Sequence, residues 1–362
     1  MNLTSTIINP DHASIKSMDH ERYVLIFDFE TTGLPNKGVY NYEPYPSIKK
    51  MRDGSPKKQN QALTDEITKK PIIDLNGNPV YVNTNITVPP SESKDWPYAV
   101  QFGYILYDNH THNMKVVNEF IRLPDGVVIT EGSEKIHGIS ITKTQGKTKK
   151  IVNPFTNNIE MVNNPEIGTV LCEFMKDFRK ADKIVAHNLR FDRNIILAEM
   201  DRIRKIQNEN GGIGLDDIDE DFNVLIKEFY ENKKQYCTCF RGINFCKIPA
   251  INAHGNIYYK MPKLTELYTC LFGKVLDSTK MHDALSDVIV CMRCFYKMRY
   301  NVDYLSIENN NPKIREYISC IELNTAPIIV EEKTITITTI SLPIIPRRST
   351  RLIHKNRILT QV

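Results

Sequence analysis

Short apolar runs separated by polar stretches predict the strands of this chain. The run RYVLIFDF (22–29) is rich in β-branched and aromatic residues, which is typical of a buried strand. The runs at 98–107 and 114–121 have the same character and are joined by a polar turn through Asp108 and Asn109. The run KIVAH (183–187) has it too, so these four runs predict four strands of a sheet.

Apolar residues at helical spacing follow the first strands and then alternate with a strand. In the stretch 165–179, for example, Ile167, Val170 and Leu171 recur with the period of a helix that buries one face. The pattern predicts helices over 131–137, 165–179, 189–206, 262–272 and 283–299. The stretch 208–222 is acidic and rich in glycine, so we expect a flexible loop there. This order of elements predicts an α/β fold, in which helices pack on a mixed sheet.

Changes in composition divide the chain into three parts. Residues 1–20 are polar and irregular, and we expect a flexible leader there, while residues 21–305 form the main domain. Within that domain, about 36–96 is rich in Pro, Gly, Asn and Lys, which predicts an insertion with a hairpin around Asn76-Gly77. Residues 306–362 form a C-terminal extension that ends in a basic tail.

Two basic stretches are candidates for contacts with nucleic acid. The end of the chain carries five basic residues and no acid: Arg347, Arg348, Arg351, Lys355 and Arg357. The insertion combines aromatic with basic residues: Tyr40, Tyr42, Tyr45, Lys49, Lys50, Arg52, Lys57 and Lys58. Such residues can bind phosphates and stack on bases. Because short basic stretches are more often simply solvated, we favour that interpretation for both.

The overall composition is that of an ordinary globular protein. Of the 362 residues, 41% are hydrophobic and 25% are charged, and the net charge is +4. The sequence has no apolar run long enough to span a membrane and no secretory signal pattern at its N-terminus. We therefore expect no membrane association and an intracellular location, cytoplasmic or nuclear, without secretion. Abundant Asn, Ile and Lys favour an AT-rich genome such as that of a large virus or phage.

The eight cysteines are expected to be reduced thiols, because a secretory signal is missing. Cys237-x-Cys239 with Cys246, and Cys291-x-x-Cys294, each raise the hypothesis of a structural zinc site. The first set has no clean four-ligand pattern, and the second lies in an apolar helical stretch where thiols pack as small apolar groups. We favour core packing over zinc.

Two carboxylates lie at the end of the first predicted strand. Side chains alternate along a strand, so Asp28 and Glu30 point to one face while Phe27 and Phe29 point to the other. Two carboxylates side by side repel one another unless a cation lies between them. The pair therefore predicts a cation site, and its alternative is a solvated strand end.

Further acids lie where predicted helices begin. Asn188 suits a helix cap, and Asp192 falls in the first turns of the following helix, where the helix dipole alone would favour an acid. Asp287 borders the apolar stripe of the helix 283–299, and an acid in that place needs a partner or a metal. We expect His282 in the loop that leads into this helix, from which it could reach a metal; a surface or capping role is the alternative.

The order and spacing of these segments resemble those of the DEDDh exonucleases, the superfamily of bacterial proofreading epsilon subunits, RNase T and the mammalian TREX enzymes. The matching segments are Asp28–Gly33 for the D-x-E-T-T-G motif, His187, Asn188 and Asp192 for the second motif, His282 and Asp287 for H-x-x-x-x-D, and Ile136–Ile139 for the HGI element. The resemblance covers about residues 22–300 and leaves out the insertion and the residues after 305.

The resemblance implies an RNase H-like fold, a mixed five-stranded sheet flanked by helices. It implies a 3′→5′ exonuclease that releases nucleoside 5′-monophosphates, with His282 as the general base that takes a proton from the attacking water. It also implies that two Mg²⁺ or Mn²⁺ ions are held by Asp28, Glu30, Asp192 and Asp287. The substrate contacts that it implies are Thr31, Thr32, Gly33, Leu34, His137 and Asn188.

The core motifs leave the choice between DNA and RNA open, because both share the phosphate. The segments 237–249 and 262–267 are similar to those of proofreading and phage-type DNA exonucleases, which favours the 3′ end of single-stranded or frayed DNA and makes a polymerase or another replication protein a candidate partner. The alternatives are an RNA-processing exoribonuclease of the RNase T kind and a catalytically silent nucleic-acid-binding subunit. A silent subunit would have lost a metal ligand, whereas a purely structural domain leaves the paired acids unexplained.

Overall fold

The computed structural model of the protein describes residues 20–39, 41–48, 51, 55–64, 70–74, 77–147, 149–152, 159–209, 218–231, 234–307 and 311–323. Contacts divide the chain into two units, Met1–Pro327 and Ile328–Val362. The second unit, with the predicted basic tail, lies outside the described residues, and so does the predicted leader apart from His20. No helix in the described part of the chain is long and apolar enough to cross a membrane.

Four strands of the first unit follow the four predicted runs closely, and the other strands lie outside those runs. The strands are β1 (Tyr23–Thr31), β2 (Ser47–Ile48), β3 (Lys58–Ala62), β4 (Tyr81–Asn85), β5 (Thr87–Val88), β6 (Ala99–Asp108), β7 (Met114–Phe120), β8 (Lys149–Val152), β9 (Ile159–Val162), β10 (Lys183–Ala186), β11 (Gln235–Cys237), β12 (Pro249–Ile251) and β13 (Ile257–Tyr259). Five of them form one sheet in the order β11-β10-β1-β6-β7. β10 is parallel to β1 and to β11, whereas β6 is antiparallel to β1 and to β7. The predicted mixed five-stranded sheet is therefore confirmed.

The helices pack on both faces of this sheet. They are α1 (Glu131–His137), α2 (Ile141–Gln145), α3 (Ile167–Lys180), α4 (Leu189–Glu209), α5 (Ile218–Glu231), α6 (Thr238–Cys246), α7 (Leu264–Phe272), α8 (Ala284–Tyr300) and α9 (Pro312–Ile321). The five predicted helices are confirmed, with ends that differ by a few residues. The flexible loop expected at 208–222 is wrong at both ends, because α4 continues to Glu209 and α5 already begins at Ile218, and its middle, 210–217, lies outside the described residues. Burial of Phe222 and Leu225 holds the start of α5 in the core despite its acidic sequence.

The two faces of β1 contribute to separate apolar layers. Leu25, Phe27 and Phe29 lie in the layer formed with α3, α4 and α5. Val24 and Ile26 lie in the layer formed with α7, α8 and α9. Because side chains alternate along the strand, Asp28 and Glu30 continue the face on which α8 packs. The third predicted segment therefore folds over the first.

The predicted insertion consists of short ladders that leave the main sheet. β2 pairs with β5 and β3 pairs with β4, each pair antiparallel. The predicted turn at Asn76-Gly77 falls partly outside the described residues, but Gly77 has a φ of +82° and its N–H donates to the Asp74 carbonyl. At the base of the insertion, Glu43 and Ser91 exchange two hydrogen bonds of 2.7 and 2.8 Å. We call this pair the neck of the insertion.

The C-terminal boundary expected at residue 305 falls inside the first unit. α9 lies beyond that boundary, yet its Ile314, Ile318 and Ile321 are buried in the same apolar layer as α8. The unit as defined by its contacts ends at Pro327.

Candidate active site

The end of β1 carries the first two carboxylates of the site. In the register with β6, Asp28 lies opposite Gly103 and Glu30 lies opposite Gln101, and the register shifts between Glu30 and Thr31. Phe29, between the two acids, points to the opposite face, where its ring stacks on Phe102 at 4.0 Å. That stacking fixes the strand and leaves both acids on the side of α8.

Asp192 joins this strand end from the first turn of α4. Its carboxylate is buried, and its Oδ1 accepts a hydrogen bond of 3.2 Å from the Phe29 N–H. Phe29 lies between Asp28 and Glu30 in the sequence, so this bond brings a third acid to the same place. The strand-then-helix pattern predicted that Asp192 lies near the sheet edge. In the structure, Asp192 contacts the backbone of β1 directly.

α8 approaches the sheet at a glycine that the sequence analysis did not single out. A Cβ added to Gly103 would lie 2.8 Å from the Ala284 carbonyl carbon and 2.8 Å from the Leu285 nitrogen. Since real Cβ atoms do not come this close to backbone atoms, only glycine lets the first turn of α8 pack there. Asp287, also in this turn, is thereby brought towards Asp28 and Glu30.

Two further residues missed from the sequence hold the start of α8. Asp283 caps the helix, with its Oδ1 accepting from the Ser286 N–H at 3.2 Å. Gln101 donates from its Nε2 to the other Asp283 oxygen at 2.7 Å, and its Oε1 accepts from the Ala284 N–H at 3.3 Å. Gln101 thus ties β6 to the helix beside Glu30. Only the strand register shows that Gln101 has this position.

His282 lies in the loop before α8, as the spacing predicted. It is exposed and has a φ of +65°, which turns the chain sharply into the helix. Ligand-capable atoms of Glu30, His282 and Asp287 all lie within 4.8 Å of one another. The Asp287 Oδ1 is buried and has no hydrogen-bond partner among the described residues. A buried carboxylate oxygen without a partner is costly unless a cation binds it.

The acids strongly perturb one another. Burial, and after it the charges of Asp192 and Asp287, raises the pKa of Asp28 well above its ordinary value. Burial and the neighbouring acids raise the pKa of Glu30 to about 8. Burial is also the main cause that raises the pKa of Asp192 to about 8 and that of Asp287 to about 7. Clustered acids of this kind need protons or cations to compensate their charge.

Oxygen donors of this number and charge fit hard divalent cations such as Mg²⁺ or Mn²⁺. The orphaned Asp287 oxygen and the mutual repulsion of the acids are the features that such cations would relieve. The zinc hypothesis finds no comparable cluster, because none of the cysteines belongs to a group of three metal-ligating side chains in the described part of the chain. Cys291 and Cys294 instead belong to α8, and both are buried in the apolar layer that α8 helps to form.

The predicted substrate-contact residues follow the carboxylates directly. The Thr31 hydroxyl donates to the Gly33 carbonyl at 2.7 Å, and the Thr32 hydroxyl accepts from the Tyr98 N–H at 3.0 Å. Both hydroxyls therefore shape the turn after β1. Leu34 projects from this turn with 81% of its surface exposed. An apolar side chain so exposed beside the acids is available to a ligand.

His137, from the HGI element, supports the same turn from α1. Its Nδ1 accepts from the Ile139 N–H at 3.0 Å, so the proton lies on Nε2, which is 3.2 Å from the Thr31 carbonyl oxygen. Burial is the main cause that lowers the pKa of His137. Asn188, at the start of α4, is exposed with a φ of +68°, and its carbonyl accepts from the Phe191 N–H.

His187 belongs to the second predicted motif, but both of its ring nitrogens form hydrogen bonds within the protein. Its Nε2 donates to the Pro262 carbonyl at 3.1 Å, and its Nδ1 lies 3.0 Å from the Thr238 hydroxyl. Burial lowers its pKa to about 4. His187 thus fastens the starts of α6 and α7 to the end of β10.

Comparisons with known proteins return remote likenesses to 3′-exonucleases. No protein-family model matches the chain, and no curated protein matches it significantly. Among solved structures, the 3′-exonuclease described in 3′-end specific recognition of histone mRNA stem-loop is 10% identical, with 78% of this chain and 65% of that one covered and a TM-score of 0.38. E. coli Exonuclease I in complex with a dA16 oligonucleotide is 13% identical, with 83% and 43% covered and a TM-score of 0.39.

The nuclease domain of 3′hExo, described as a DEDDh family member bound to rAMP, is similar over a larger share of its own length. It is 12% identical, with 81% of this chain and 98% of that chain covered and a TM-score of 0.34. The chain spans less than two thirds of the length of the first two structures. Because all of these likenesses are remote, a function for this chain has to follow from its own residues.

Proposed function

We propose that the protein is a divalent-metal-dependent 3′→5′ exonuclease of the DEDDh type that acts on the 3′ end of nucleic acid, with DNA favoured. The observation that carries the proposal is the cluster of Asp28, Glu30, Asp192 and Asp287 around the end of β1, with the Asp287 Oδ1 buried and without a partner. The catalytic domain would begin at about residue 21, carry the insertion at about 36–96 and extend beyond 305 to include α9, which packs in the same apolar layer as α8.

Asp28, Glu30, Asp192 and Asp287 would hold two Mg²⁺ or Mn²⁺ ions. When bound, such a pair of cations neutralises charge on the attacking and leaving oxygens of a phosphodiester. The carboxylates provide the negative charge that recruits the cations, and Gln101 with Asp283 keeps the Asp287 helix against the strand. Neither Gln101 nor Asp283 needs to touch the substrate, so we assign both a positioning role.

His282 would act as the general base. Partial burial of the ring, and after it the charge of Lys263, lowers the pKa of His282, so the imidazole is neutral near pH 7 and can accept a proton. In the proposed step, water attacks the terminal phosphorus and His282 receives its proton. The bond from phosphorus to the 3′-oxygen of the penultimate nucleotide breaks, its electron pair goes to that oxygen, which takes a proton from solvent, and a nucleoside 5′-monophosphate is released. The turn Thr31–Leu34 would position the terminal nucleotide, with His137 and Asn188 beside it.

The experiment is degradation of 5′-labelled single-stranded DNA with Mg²⁺, compared between wild type, Asp28→Asn and Asp125→Asn. Asp125 is an exposed acid outside the site, so its variant controls for loss of surface charge. We expect a ladder shortening from the 3′ end for wild type and the control, and none for Asp28→Asn. Full activity of Asp28→Asn would refute the proposal, and so would a wild type that is inactive with both Mg²⁺ and Mn²⁺.

RNA of the same sequence tests the substrate preference. The carboxylates act on a phosphate that both polymers share, so the preference for DNA rests on the weaker similarity of 237–249 and 262–267 to DNA exonucleases. Faster degradation of RNA would favour the exoribonuclease alternative. The proposal also includes an intracellular location and a replication partner such as a polymerase, which copurification from cells expressing the tagged protein can test.

A further inference from the structure

The segment from the end of α5 to the first residues of α7 has an unusual charge distribution. Residues 232–265 include no Asp or Glu but carry six basic side chains: Lys233, Lys234, Arg241, Lys247, Lys260 and Lys263. Lys260 is paired with Glu266 at 2.7 Å. The ion pairs of the described residues include neither Lys247 nor Lys263, and both side chains are exposed. This segment therefore presents positive charge that the protein itself does not neutralise.

The β12–β13 ladder within this segment exposes apolar side chains. Ile251 pairs directly with Ile257, and Pro249 pairs with Tyr259, so the four share one face of the ladder. Ile251, Ile257 and Tyr259 are 71%, 74% and 54% exposed. We call these four residues, with Tyr258 on the other face, the hairpin surface. Large exposed apolar side chains in such a group are typical of a binding surface.

The hairpin surface is fastened next to the candidate active site. The chain leaves β13 through Met261 and reaches Pro262, whose carbonyl accepts the hydrogen bond from His187 at the end of β10. A Cβ on Gly242 would lie 2.8 Å from the Pro262 Cγ, so a glycine at that position lets α6 pack against the same point. Lys263 follows, and its charge acts on His282. Cationic and aromatic groups thus lead from the hairpin to the general base.

We infer that the hairpin surface, with Lys247 and Lys263, binds the upstream nucleotides of a single-stranded substrate while its 3′ end lies at the carboxylates. This inference rests on the proposed function. Aromatic rings accept bases of any sequence by stacking, and lysines pair with the phosphates between them. A duplex would have to fray before its strand could follow this surface, because bases that are stacked in a helix do not present their faces.

A single strand fits the surface better than a protein partner does. The exposed aromatic and apolar side chains stand in a stretch whose charged residues are all basic, and a surface with an excess of positive charge repels other basic surfaces while it attracts phosphates. The surface also begins at Lys263, beside the site where a phosphodiester is proposed to react. A strand held at the carboxylates would therefore bring its next phosphates towards Lys263 first.

The test compares a strand of about 20 nucleotides with a dinucleotide, since only the longer one reaches the hairpin surface. The double variant Tyr258→Ala/Tyr259→Ala is matched by Tyr81→Ala, an exposed tyrosine on the β3–β4 ladder that is 60% exposed. We expect wild type and Tyr81→Ala to show a higher kcat/KM for the long strand. In the double variant this advantage should fall about tenfold, mainly through KM. Anisotropy of a labelled strand in EDTA should show the same loss of affinity.

The contribution of the two lysines can be measured independently from the salt dependence of the affinity for single-stranded DNA. Lys247→Gln/Lys263→Gln should reduce the slope of log affinity against log salt by roughly one, because up to two phosphate contacts disappear. An unchanged slope together with an unchanged length advantage in the tyrosine variant would overturn the inference and leave the surface for a protein partner. If wild type cleaves neither substrate, the proposed exonuclease function itself fails, which is a different outcome from cleavage without any length advantage.

Discussion

Gly103 lies directly opposite Asp28 in the antiparallel pairing of β6 with β1, and its missing side chain makes room for the first turn of α8. The same turn carries Asp287, whose carboxylate perturbs that of Asp28. The distance between two acids that are far apart in the sequence therefore depends on one position without a side chain.

Gly103→Ala should separate α8 from the sheet and damage the site more than the fold. The added Cβ meets backbone atoms at 2.8 Å, which cannot move aside as a side chain would. Overpacking of this kind costs about 1–3 kcal/mol of unfolding free energy. A shift of the helix by even a fraction of an ångström should lower kcat/KM by roughly tenfold to a hundredfold.

Gly132→Ala is the matched control, because a Cβ there meets no heavy atom within 4 Å. Urea unfolding and exonuclease rates of the two variants decide the question. Equal exonuclease rates for Gly103→Ala and Gly132→Ala would show that activity does not depend on the close approach of α8 to the sheet.

Neutralising one acid should stabilise the metal-free protein while it removes activity. Asp28→Asn relieves both the burial of a charge and the repulsion from Asp192 and Asp287. In EDTA near pH 8 we expect its melting temperature to rise by a few degrees, about 1 kcal/mol or more. Calorimetry with and without Mg²⁺ tests this, since the rise should vanish or reverse when the cation is present. A lower melting temperature in EDTA would contradict the repulsion.

Without metal, the protein should lose stability as the pH rises. The folded-state pKa values of Glu30 and Asp192 are raised to about 8, above their ordinary 4.5 and 3.8. The folded state therefore binds protons more tightly than the unfolded state, and this contribution is complete below the unfolded pKa values. It is lost between about pH 4 and pH 8, as the pH rises through the folded values.

Unfolding in urea at several pH values, in EDTA and in Mg²⁺, measures this dependence. Mg²⁺ should flatten the decline, because the cations replace the protons, and Asp28→Asn/Asp287→Asn should flatten it in EDTA as well. A free energy of unfolding that stays constant from about pH 5 to pH 8 in EDTA would show that folding does not raise the pKa values of these acids.

His282→Ala should slow the reaction greatly without removing the cations. Loss of a general base lowers kcat by about 10²- to 10⁴-fold. The proposed metal ligands are carboxylates, so calorimetric Mg²⁺ binding should stay within a few fold of wild type. His110→Ala, at an exposed histidine beyond the end of β6, is the control. If His282→Ala keeps the kcat of wild type, a group other than His282 must accept the proton.

His187 should contribute to stability through its two hydrogen bonds rather than through chemistry. His187→Ala leaves the Pro262 carbonyl and the Thr238 hydroxyl without this partner, which costs about 1–3 kcal/mol. A double-mutant cycle with Thr238→Val should show a coupling energy of about 1 kcal/mol. Additive effects of the two substitutions would mean that the contact with Thr238 contributes nothing.

The parts of the site that follow from local periodicity were predictable from the sequence. Alternation along a strand placed Asp28 and Glu30 on one face, and the spacing before α8 placed His282 in a loop. Gly103 and Gln101 could not be found in this way. Their roles depend on which residues of β6 lie opposite β1, and that register is set by the packing of the whole sheet.

The errors in the fold have a similar origin. The start of α5 has an acidic sequence, which locally favours a loop, and only burial of Phe222 and Leu225 against the core reveals the helix. The β12–β13 ladder has three residues in each strand, too few for a pattern of alternation to stand out. In both places tertiary contacts, rather than local preference, decide the structure.

The neck formed by Glu43 and Ser91 is the point at which the insertion leaves the domain that carries the candidate active site. Next to it, the N–H of the buried Tyr42 donates a hydrogen bond to the Asn194 Oδ1 on α4, so the base is fixed on the helix that also carries Asp192. We therefore expect that the chain between the two neck residues can change in length without moving that base. Other loops could therefore be transplanted at this point to change which substrates reach the proposed active site, while its carboxylates stay in place.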